Sequence, residues 1–397
     1  MKKIFSILLS VGISTSMLFA QTTNAEGSKY QFKKLVHLDA TPVQSQGQTG
    51  TCWSFSATSF FESEIQRLGA KKPIILSEMY VVRKAYEMKA EKYIRMDGKI
   101  NFGEGGAFHD APLVISKFGI VPYEVYTGLN GTENYNHGEL FNQLNGVMNS
   151  IIERLGSPEG INFDWKSKYN SVLDMGIGKD VSSFEYNGRK YTPISFAASL
   201  GLDMNNYVSL TSFTNHPMNS ECMLEIPDNW AWGTSYNVSL DDLVETTISA
   251  LKNGYTIAWG ADVSEKGFSF KNGLAIVPAD PAMIEVIGKD DKRFNDAGAE
   301  RKSNAFLEPM KELAITAELR QIGYDNKTTT DDHGMHIVGL YQDQNGTRYF
   351  LVKNSWGINN LPKGYLYVSE NYFRYKTINI YLHKESIPAT IKSKLKL

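Results

Sequence analysis

The sequence predicts an α+β protein with two lobes and a cleft between them. Its first half is dominated by segments in which apolar residues recur at helical spacing, and its last part by short apolar runs separated by turns. Helices and strands that are segregated along the chain in this way are typical of α+β folds. A cleft where two such lobes meet is a common place for a ligand site.

Four segments carry the helical prediction. Residues 52–69 have apolar side chains near helical spacing and end at a glycine, which predicts a helix that begins at or near Cys52. Residues 76–89 and 111–118 are further helix candidates. Residues 239–254 carry a serine cap, two aspartates in the first turn and an Asn-Gly stop, so a helix is predicted there as well.

The last part of the chain supplies the predicted strands. The runs at 255–263, 336–343 and 348–357 are apolar enough to be buried. The second and third of these runs are joined by a turn with an Asn-Gly pair, which is a signal for a β-hairpin. Further strands are expected at 364–369 and 378–384.

Composition and charge point to an ordinary globular protein and to no particular class of macromolecular partner. The chain has 397 residues, a formal net charge of -2 and 42% hydrophobic residues, which is ordinary for a globular protein. The balanced charge gives no reason to expect nucleic acid as a partner. The sequence contains no metal-binding motif and no nucleotide-binding loop, so no cofactor is expected.

Residues 1–25 are predicted to be a signal peptide. Two lysines precede an apolar run over 4–19, and cleavage is expected after Ala20 or Ala25. The run is short for a membrane span, so an uncleaved anchor is the less favoured alternative and no membrane anchoring is expected. The mature chain is therefore expected to be exported, either to the periplasm or out of the cell.

Four residues offer the groups that hydrolysis by a cysteine requires. Cys52, one of only two cysteines, is the candidate nucleophile, at a helix start that favours a thiolate. His333 is the candidate base, and Asn354 ends the next strand. The two can meet in a hairpin, because adjacent strands lie only about 5 Å apart. Gln46, six residues before Cys52, is the candidate donor to an oxyanion.

Each of these assignments has a simpler alternative. Cys52 taken alone would be a buried free thiol, or it could pair with Cys222, which has no motif around it. His336 is a rival base, but it lies three residues after His333 and therefore on the opposite face of the strand. Asp332 is expected either to tune His333 electrostatically or to be a surface carboxylate.

Three motifs resemble those of the papain-like cysteine peptidases. QGQTGTCWSF, around Cys52, resembles the active-site turn of that family, with Thr49 where the family has a further cysteine. KNSWG, residues 353–357, matches the family's asparagine motif, and DHGMHIVG, residues 332–339, resembles its histidine strand. The resemblance implies a helical left lobe, a β-barrel-like right lobe and hydrolysis of peptide bonds through a thioester on Cys52.

Further details resemble one branch of that family, the bleomycin hydrolase or aminopeptidase C group. His333 is followed by Gly-Met, and a Gly-Gly loop at Gly105 and Gly106 follows the pattern of that group. The resemblance implies that both glycines and Trp356 belong to the peptide-binding site, and that Trp356 shields the hydrogen bond of His333 from water. It also implies aminopeptidase action and a homo-oligomer, a ring of six chains.

Two alternatives to that function stay open. The group uses a C-terminal arm to restrict its cleft, whereas the tail here, residues 386–397, is short and basic, so an endopeptidase with an open cleft is one alternative. The other, from a different class, is a non-catalytic peptide-binding protein on the same scaffold. The presence of both Cys52 and His333 favours the enzyme.

The segments divide the mature chain, residues 26–397, into parts of one peptidase domain. The expected parts are a mainly helical lobe over 30–135 with Cys52, a helical insertion over 135–205, a mainly β lobe over 206–385 with His333 and Asn354, a second insertion over 265–330 within that lobe, and a tail over 386–397.

Overall fold

The computed structural model describes residues 22–157, 164–288 and 300–397. The predicted signal peptide lies almost wholly outside the described residues, which begin at Thr22. Within the described ranges, no helix is both long enough and apolar enough to span a membrane.

The helices lie mostly in the first two thirds of the chain, and each of the four predicted helices is present. The serine cap of the fourth is confirmed, because Ser239 Oγ accepts a hydrogen bond from the backbone N–H of Asp242 at 3.1 Å. The α-helices of the described residues are α1 (Cys52–Arg67), α2 (Glu78–Arg95), α3 (Asp110–Phe118), α4 (Gly138–Ile152), α5 (Trp165–Ile177), α6 (Pro193–Ser199), α7 (Leu240–Lys252), α8 (Ala317–Asp325), α9 (Glu370–Lys376) and α10 (Ala389–Leu395).

The strands lie mostly in the second half of the chain, and the predicted hairpin is formed by β12 and β13. The strands of the described residues are β1 (Lys33–His37), β2 (Phe184–Tyr186), β3 (Arg189–Tyr191), β4 (Tyr207–Thr211), β5 (Ser220–Met223), β6 (Thr234–Asn237), β7 (Ile257–Ala261), β8 (Phe268–Ser269), β9 (Leu274–Ala275), β10 (Glu285–Ile287), β11 (Glu300–Lys302), β12 (His333–Gln342), β13 (Arg348–Lys353), β14 (Tyr365–Ser369) and β15 (Thr377–His383).

One large sheet organises the β lobe. It has eleven strands in the order β5-β6-β4-β15-β7-β12-β13-β14-β9-β8, with β1 paired to β12 as well. The pairs β7–β12, β12–β13 and β13–β14 are antiparallel. Strand β12 is central in this order: its first residues, from His333, pair with β7, and its pairing with β13 begins at His336.

Helix α1 joins the helical lobe to the sheet. Nearly all of its side chains are buried, and Phe60 and Phe61 pack in the same core as Ala258 of β7 and Tyr381 of β15. A second core is built around β7, β12 and β13. Since α1 begins at Cys52, this packing fixes the sulfur at the junction between helices and sheet.

The tail packs on the β lobe. Ile391 and Leu395 of α10 are buried in the core of the sheet, and Lys394 Nζ lies 2.9 Å from Asp242 Oδ2 in α7.

Candidate active site

Cys52 is the first residue of α1, as the sequence predicts. The turn before it is tied together internally, because the buried hydroxyls of Thr49 and Thr51 lie 2.5 Å apart and Thr49 Oγ1 donates to the Gln46 carbonyl at 2.8 Å. Thr49 stands where the resembled family has a cysteine, so a hydroxyl pair stabilises the turn at this position. Neither Cys52 nor Cys222 forms a disulfide, and the pairing considered from the sequence is absent.

His333 and Asn354 are brought together by the β12–β13 hairpin. Both side chains are buried, and His333 Nε2 lies 2.7 Å from Asn354 Oδ1. Because an amide oxygen only accepts, this bond places a proton on Nε2. The other ring nitrogen, Nδ1, has no hydrogen-bond partner among the described residues. The hydrogen bond at Nε2 therefore fixes the orientation of the ring and leaves Nδ1 available.

Trp356 lies against this histidine. The ring centroids of His333 and Trp356 are 4.5 Å apart with an interplanar angle of 36°. Trp356 is 7% exposed, so its ring limits the access of water to the bond between His333 and Asn354. Trp356 is not among the residues that line the cavity described next.

Cys52 and His333 line one cavity, here called the front cavity. The backbone N–H of Gly334, next to the histidine, donates to the Cys52 sulfur. A side chain at Gly334 would not fit, since its Cβ would lie 2.7 Å from Ser56 Oγ and 3.2 Å from the Cα of Trp53. Glycine at this position lets the histidine strand approach the cysteine helix closely.

Burial moves both reactive groups towards their neutral forms. It raises the pKa of the Cys52 thiol to about 12, although the N–H groups of Gly334 and Trp53 act in the opposite direction. Burial lowers the pKa of His333 to about 4, against the hydrogen bond that the ring donates to Asn354, which favours the charged ring. A thiolate and an imidazolium in one cavity would compensate each other, so transfer of the proton from Cys52 to His333 is favoured over ionisation of either group alone.

Gln46 is buried and held in one orientation. Its Nε2 donates to the Thr49 carbonyl at 2.7 Å, and its Oε1 accepts from Ser355 Oγ at 2.7 Å. Its backbone N–H also donates to the Ser355 carbonyl at 2.9 Å. The residue next to Asn354 thus anchors the turn before Cys52. An amide nitrogen has two hydrogens, and one of them is left for a further acceptor.

Comparisons with known proteins divide along the same two lobes. Residues 29–135, which contain Gln46 and Cys52, match the family described as papain family cysteine protease. Residues 317–397, which contain His333 and Asn354, match the family described as Peptidase C1-like.

Curated relatives extend the likeness over most of the chain. Aminopeptidase W of Lactobacillus delbrueckii subsp. lactis is 22% identical, and the match covers 91% of this chain and 85% of that protein. Aminopeptidase C of Lactococcus lactis subsp. lactis (strain IL1403) is 22% identical over 88% of this chain and 82% of that protein. The crystal structure of PepW from Lactobacillus rhamnosis HN001 shares the fold, with a TM-score of 0.67, 19% identity and coverage of 92% of this chain and 84% of that one. The chain is thus similar to papain-like cysteine peptidases in both lobes, and it is a cysteine-type peptidase.

The Gly-Gly loop of the peptidase is packed against groups of its own chain. A Cβ at Gly106, which lines the front cavity, would lie 2.5 Å from Asp110 Oδ2 and 2.9 Å from the Trp53 ring. A Cβ at Gly105 would lie 1.9 Å from Asp228 Oδ2. These contacts explain the absence of side chains at both positions. The predicted contact of the two glycines with a peptide stays a prediction.

The rival base of the peptidase belongs to a separate set of buried side chains. His336 Nδ1 lies 2.9 Å from Ser59 Oγ, which in turn accepts from Lys353 Nζ at 2.7 Å. Lys353 also donates to Thr41 Oγ1 at 3.0 Å, and Thr41 donates to Glu62. These five residues, Thr41, Ser59, Glu62, His336 and Lys353, are here called the rear cluster. None of them lines the front cavity.

Two carboxylates of the front cavity were not expected from the sequence. Asp331 and Asp228 line it together with Asp332, Cys52 and His333. The pair Asp331-Asp332 directly before His333 is a signal that could have identified the first. Asp228 lies in the connection between β5 and β6, where the sequence shows no motif. In the described ranges, no group of three or more His, Cys, Asp or Glu side chains is arranged to hold a metal ion.

Proposed function

We propose that the peptidase is an exported aminopeptidase in which Cys52 is the nucleophile and His333 the general acid and base. Asn354 holds the imidazole, and Gln46 with the backbone N–H of Cys52 stabilises the oxyanion. The observation that carries the proposal is the bond from His333 Nε2 to Asn354 Oδ1 at 2.7 Å, which leaves Nδ1 for the cavity that Cys52 also lines.

The reaction follows from these roles. Cys52 gives its proton to His333, and the sulfur attacks the carbonyl carbon of the scissile peptide bond. His333 then protonates the leaving amine as the C–N bond breaks, which leaves a thioester on Cys52. Water adds to the thioester while His333 takes its proton. The C–S bond breaks, the acid departs and the thiol regains its proton.

Aminopeptidase action, the finer part of the proposal, is supported by the relatives. Those named above are called aminopeptidases, and each match covers more than four fifths of both chains. The tail does not take the place of the arm described for the family branch, because its residues pack on α7 and the sheet and none of them lines the front cavity.

Export is proposed from the signal-like segment, and buried residues near it favour one cleavage site. Asn24 is fully buried, and its Nδ2 donates to the carbonyls of Asn272 at 2.8 Å and Phe306 at 2.9 Å. Cleavage after Ala25 would remove these contacts, whereas cleavage after Ala20 keeps them. N-terminal sequencing of the exported protein tests this choice. The hexameric ring stays a prediction, and light scattering, which gives the mass of the oligomer in solution, tests it.

The decisive experiment compares peptides that have a free amino terminus with the same peptides acetylated at that terminus. Release of residues one at a time from the free peptides alone is the expected result. Internal cleavage of both sets would instead show an endopeptidase. Cleavage of neither set, together with a Cys52 that iodoacetamide does not alkylate below neutral pH, would show a non-catalytic binding protein.

A further inference from the structure

Three carboxylates line the front cavity together with the sulfur of Cys52. Asp228, Asp331 and Asp332 line it, and none of the lining residues is a lysine or an arginine. Asp332 is engaged with the protein, since it accepts from the backbone N–H of Ser264 at 3.2 Å and from Thr330 Oγ1 at 2.7 Å. Asp331 has neither a hydrogen-bond donor nor an ion-pair partner within the part of the chain that the structure describes.

Asp228 reaches this cavity from the β5–β6 connection. Its Oδ1 accepts from Asn101 Nδ2 at 2.7 Å, and its Oδ2 lies directly over the backbone of Gly105. The carboxylate therefore covers the surface of Gly105 that was predicted to contact an extended peptide. A substrate that enters here meets the carboxyl group of Asp228.

The charged groups that act on Asp331 are carboxylates, whereas a cation, Lys89, acts on Asp228. Lys89 is buried, and its Nζ donates to the carbonyls of Gly103 at 2.8 Å and Gly105 at 2.5 Å. Its charge acts on Asp110, Asp228 and Glu104 together. Burial raises the pKa of Asp331, and Asp228 and Asp332 raise it further, whereas Lys89 and Asn101 act against the rise that burial causes at Asp228. A second positive charge in the cavity would relieve this repulsion.

The acidic wall is part of the reacting centre and not a separate surface feature. His333, only 2% exposed, lines the same cavity with an Nδ1 that has no partner among the described residues. A peptidase must bring its substrate to this nitrogen and to Cys52. Whatever part of the substrate lies next to the reacting carbonyl is therefore within the field of Asp228 and Asp331.

We propose that Asp228 and Asp331 bind a protonated amine of the substrate beside Cys52. The inference rests on the proposed peptidase function and specifies its substrate class. The amine belongs either to the amino terminus of the peptide or to a lysine side chain, which share the same chemistry. An ammonium group offers three donors, and the two carboxylates provide acceptors in one cavity.

Binding to the full chain carrying Cys52→Ala tests the proposal without turnover. The probes are alanyl-leucine amide, its N-acetyl form and N-acetyl-lysyl-leucine amide, titrated by calorimetry. Asp331→Asn and Asp228→Asn are each added to Cys52→Ala, with Asp97→Asn on the exposed turn after α2 as the matched control. Each cavity substitution is expected to weaken binding of an amine-bearing probe by about 10- to 100-fold, and the control by none.

The pattern across the probes decides the outcome. Selective loss for alanyl-leucine amide assigns the amino terminus, and selective loss for N-acetyl-lysyl-leucine amide assigns the lysine side chain. An equal loss for N-acetyl-alanyl-leucine amide, or no loss for any probe, overturns the proposal. If the wild-type chain, which keeps Cys52, failed to hydrolyse peptides, the proposed function would be overturned. The binding result for the amine would be unaffected.

Discussion

The front cavity and the rear cluster each include a histidine from the first residues of strand β12, His333 and His336 respectively. The charges of the two regions are balanced in different ways. In the rear cluster, Lys353 lies among hydroxyls and between the fields of Glu62 and Glu78, so each charge has an opposite charge nearby. In the front cavity, Asp331 has only carboxylates as charged neighbours, Asp228 has Lys89 behind it, and no lining residue is a lysine or an arginine.

We interpret this difference as one between side chains that stabilise the fold and side chains that bind a substrate. Buried polar groups that only support structure are normally satisfied by the chain itself. Groups that recognise a substrate are satisfied only when the substrate is bound, and the free protein is less stable for it. On this comparison, substitutions in the rear cluster should mainly change stability, and substitutions in the front cavity should mainly change activity or binding.

Cys52→Ala should have the largest effect of the three substitutions. The effect should be on catalytic activity and not on stability. Removal of the nucleophile is expected to lower kcat by about 10⁴-fold or more, as for other enzymes that act through a covalent intermediate. The free energy of unfolding should hardly change, because alanine at the start of α1 keeps the helix and loses only the sulfur. Peptide hydrolysis and a denaturant titration measure the two quantities. Full activity in this variant would contradict the assignment of Cys52.

Lys353→Met should show the opposite pattern. It removes the cation of the rear cluster and leaves Glu62 buried without compensation, which typically costs about 3–5 kcal/mol of stability. Burial already raises the pKa of Glu62 to about 7, and Lys353 opposes that rise. Without the lysine the carboxyl pKa rises further, so the stability of the variant should fall more steeply than that of the wild type as the pH increases towards 8.

A titration with urea at several pH values measures this loss. Lys72→Met, at an exposed site in the connection after α1, is the matched control and should change the free energy of unfolding by less than about 0.5 kcal/mol. If Lys353→Met were as stable as the control, the rear cluster would not hold the fold together, and the contrast with the front cavity would fail.

Much of the site was predictable because it depends on local signals. The run from Gln46 to Cys52 carries the turn and the helix start, and the KNSWG motif ends a strand whose hairpin turn is marked by Asn-Gly. The two strands of a hairpin must lie side by side, so the meeting of His333 with Asn354 follows from chain geometry. The fold class followed from the segregation of helices and strands along the sequence.

The rest of the site was not predictable because it depends on contacts between distant segments. Asp228 and Gly105 are far apart in sequence, and nothing local to either residue indicates that one packs on the other. The same holds for Ser59 and Lys353, which meet only when α1 packs on the sheet. The assignment of His336 to the rear cluster needed strand register as well as the alternation of faces.

Asp331→Asn should have the smallest effect of the three substitutions. It is expected to increase the free energy of unfolding, whereas Lys353→Met should decrease it. Burial and Asp228 hold the pKa of Asp331 well above its ordinary value. A carboxyl whose folded-state pKa is raised keeps its proton in the folded protein at pH values where the unfolded chain has lost it. Its contribution is therefore present at low pH and is lost as the pH rises through the window between the ordinary and the raised pKa.

Asparagine has nearly the same shape and no charge, so the variant avoids that loss. At pH 7 its free energy of unfolding is expected to exceed that of the wild type by about 1 kcal/mol or more, and the gain should shrink as the pH falls towards 4. Urea titrations at pH 4, 5.5 and 7 measure it, with Asp97→Asn as the control. A variant less stable than the wild type at pH 7 would mean that Asp331 has a counter-charge in the free protein, and the front cavity would then resemble the rear cluster.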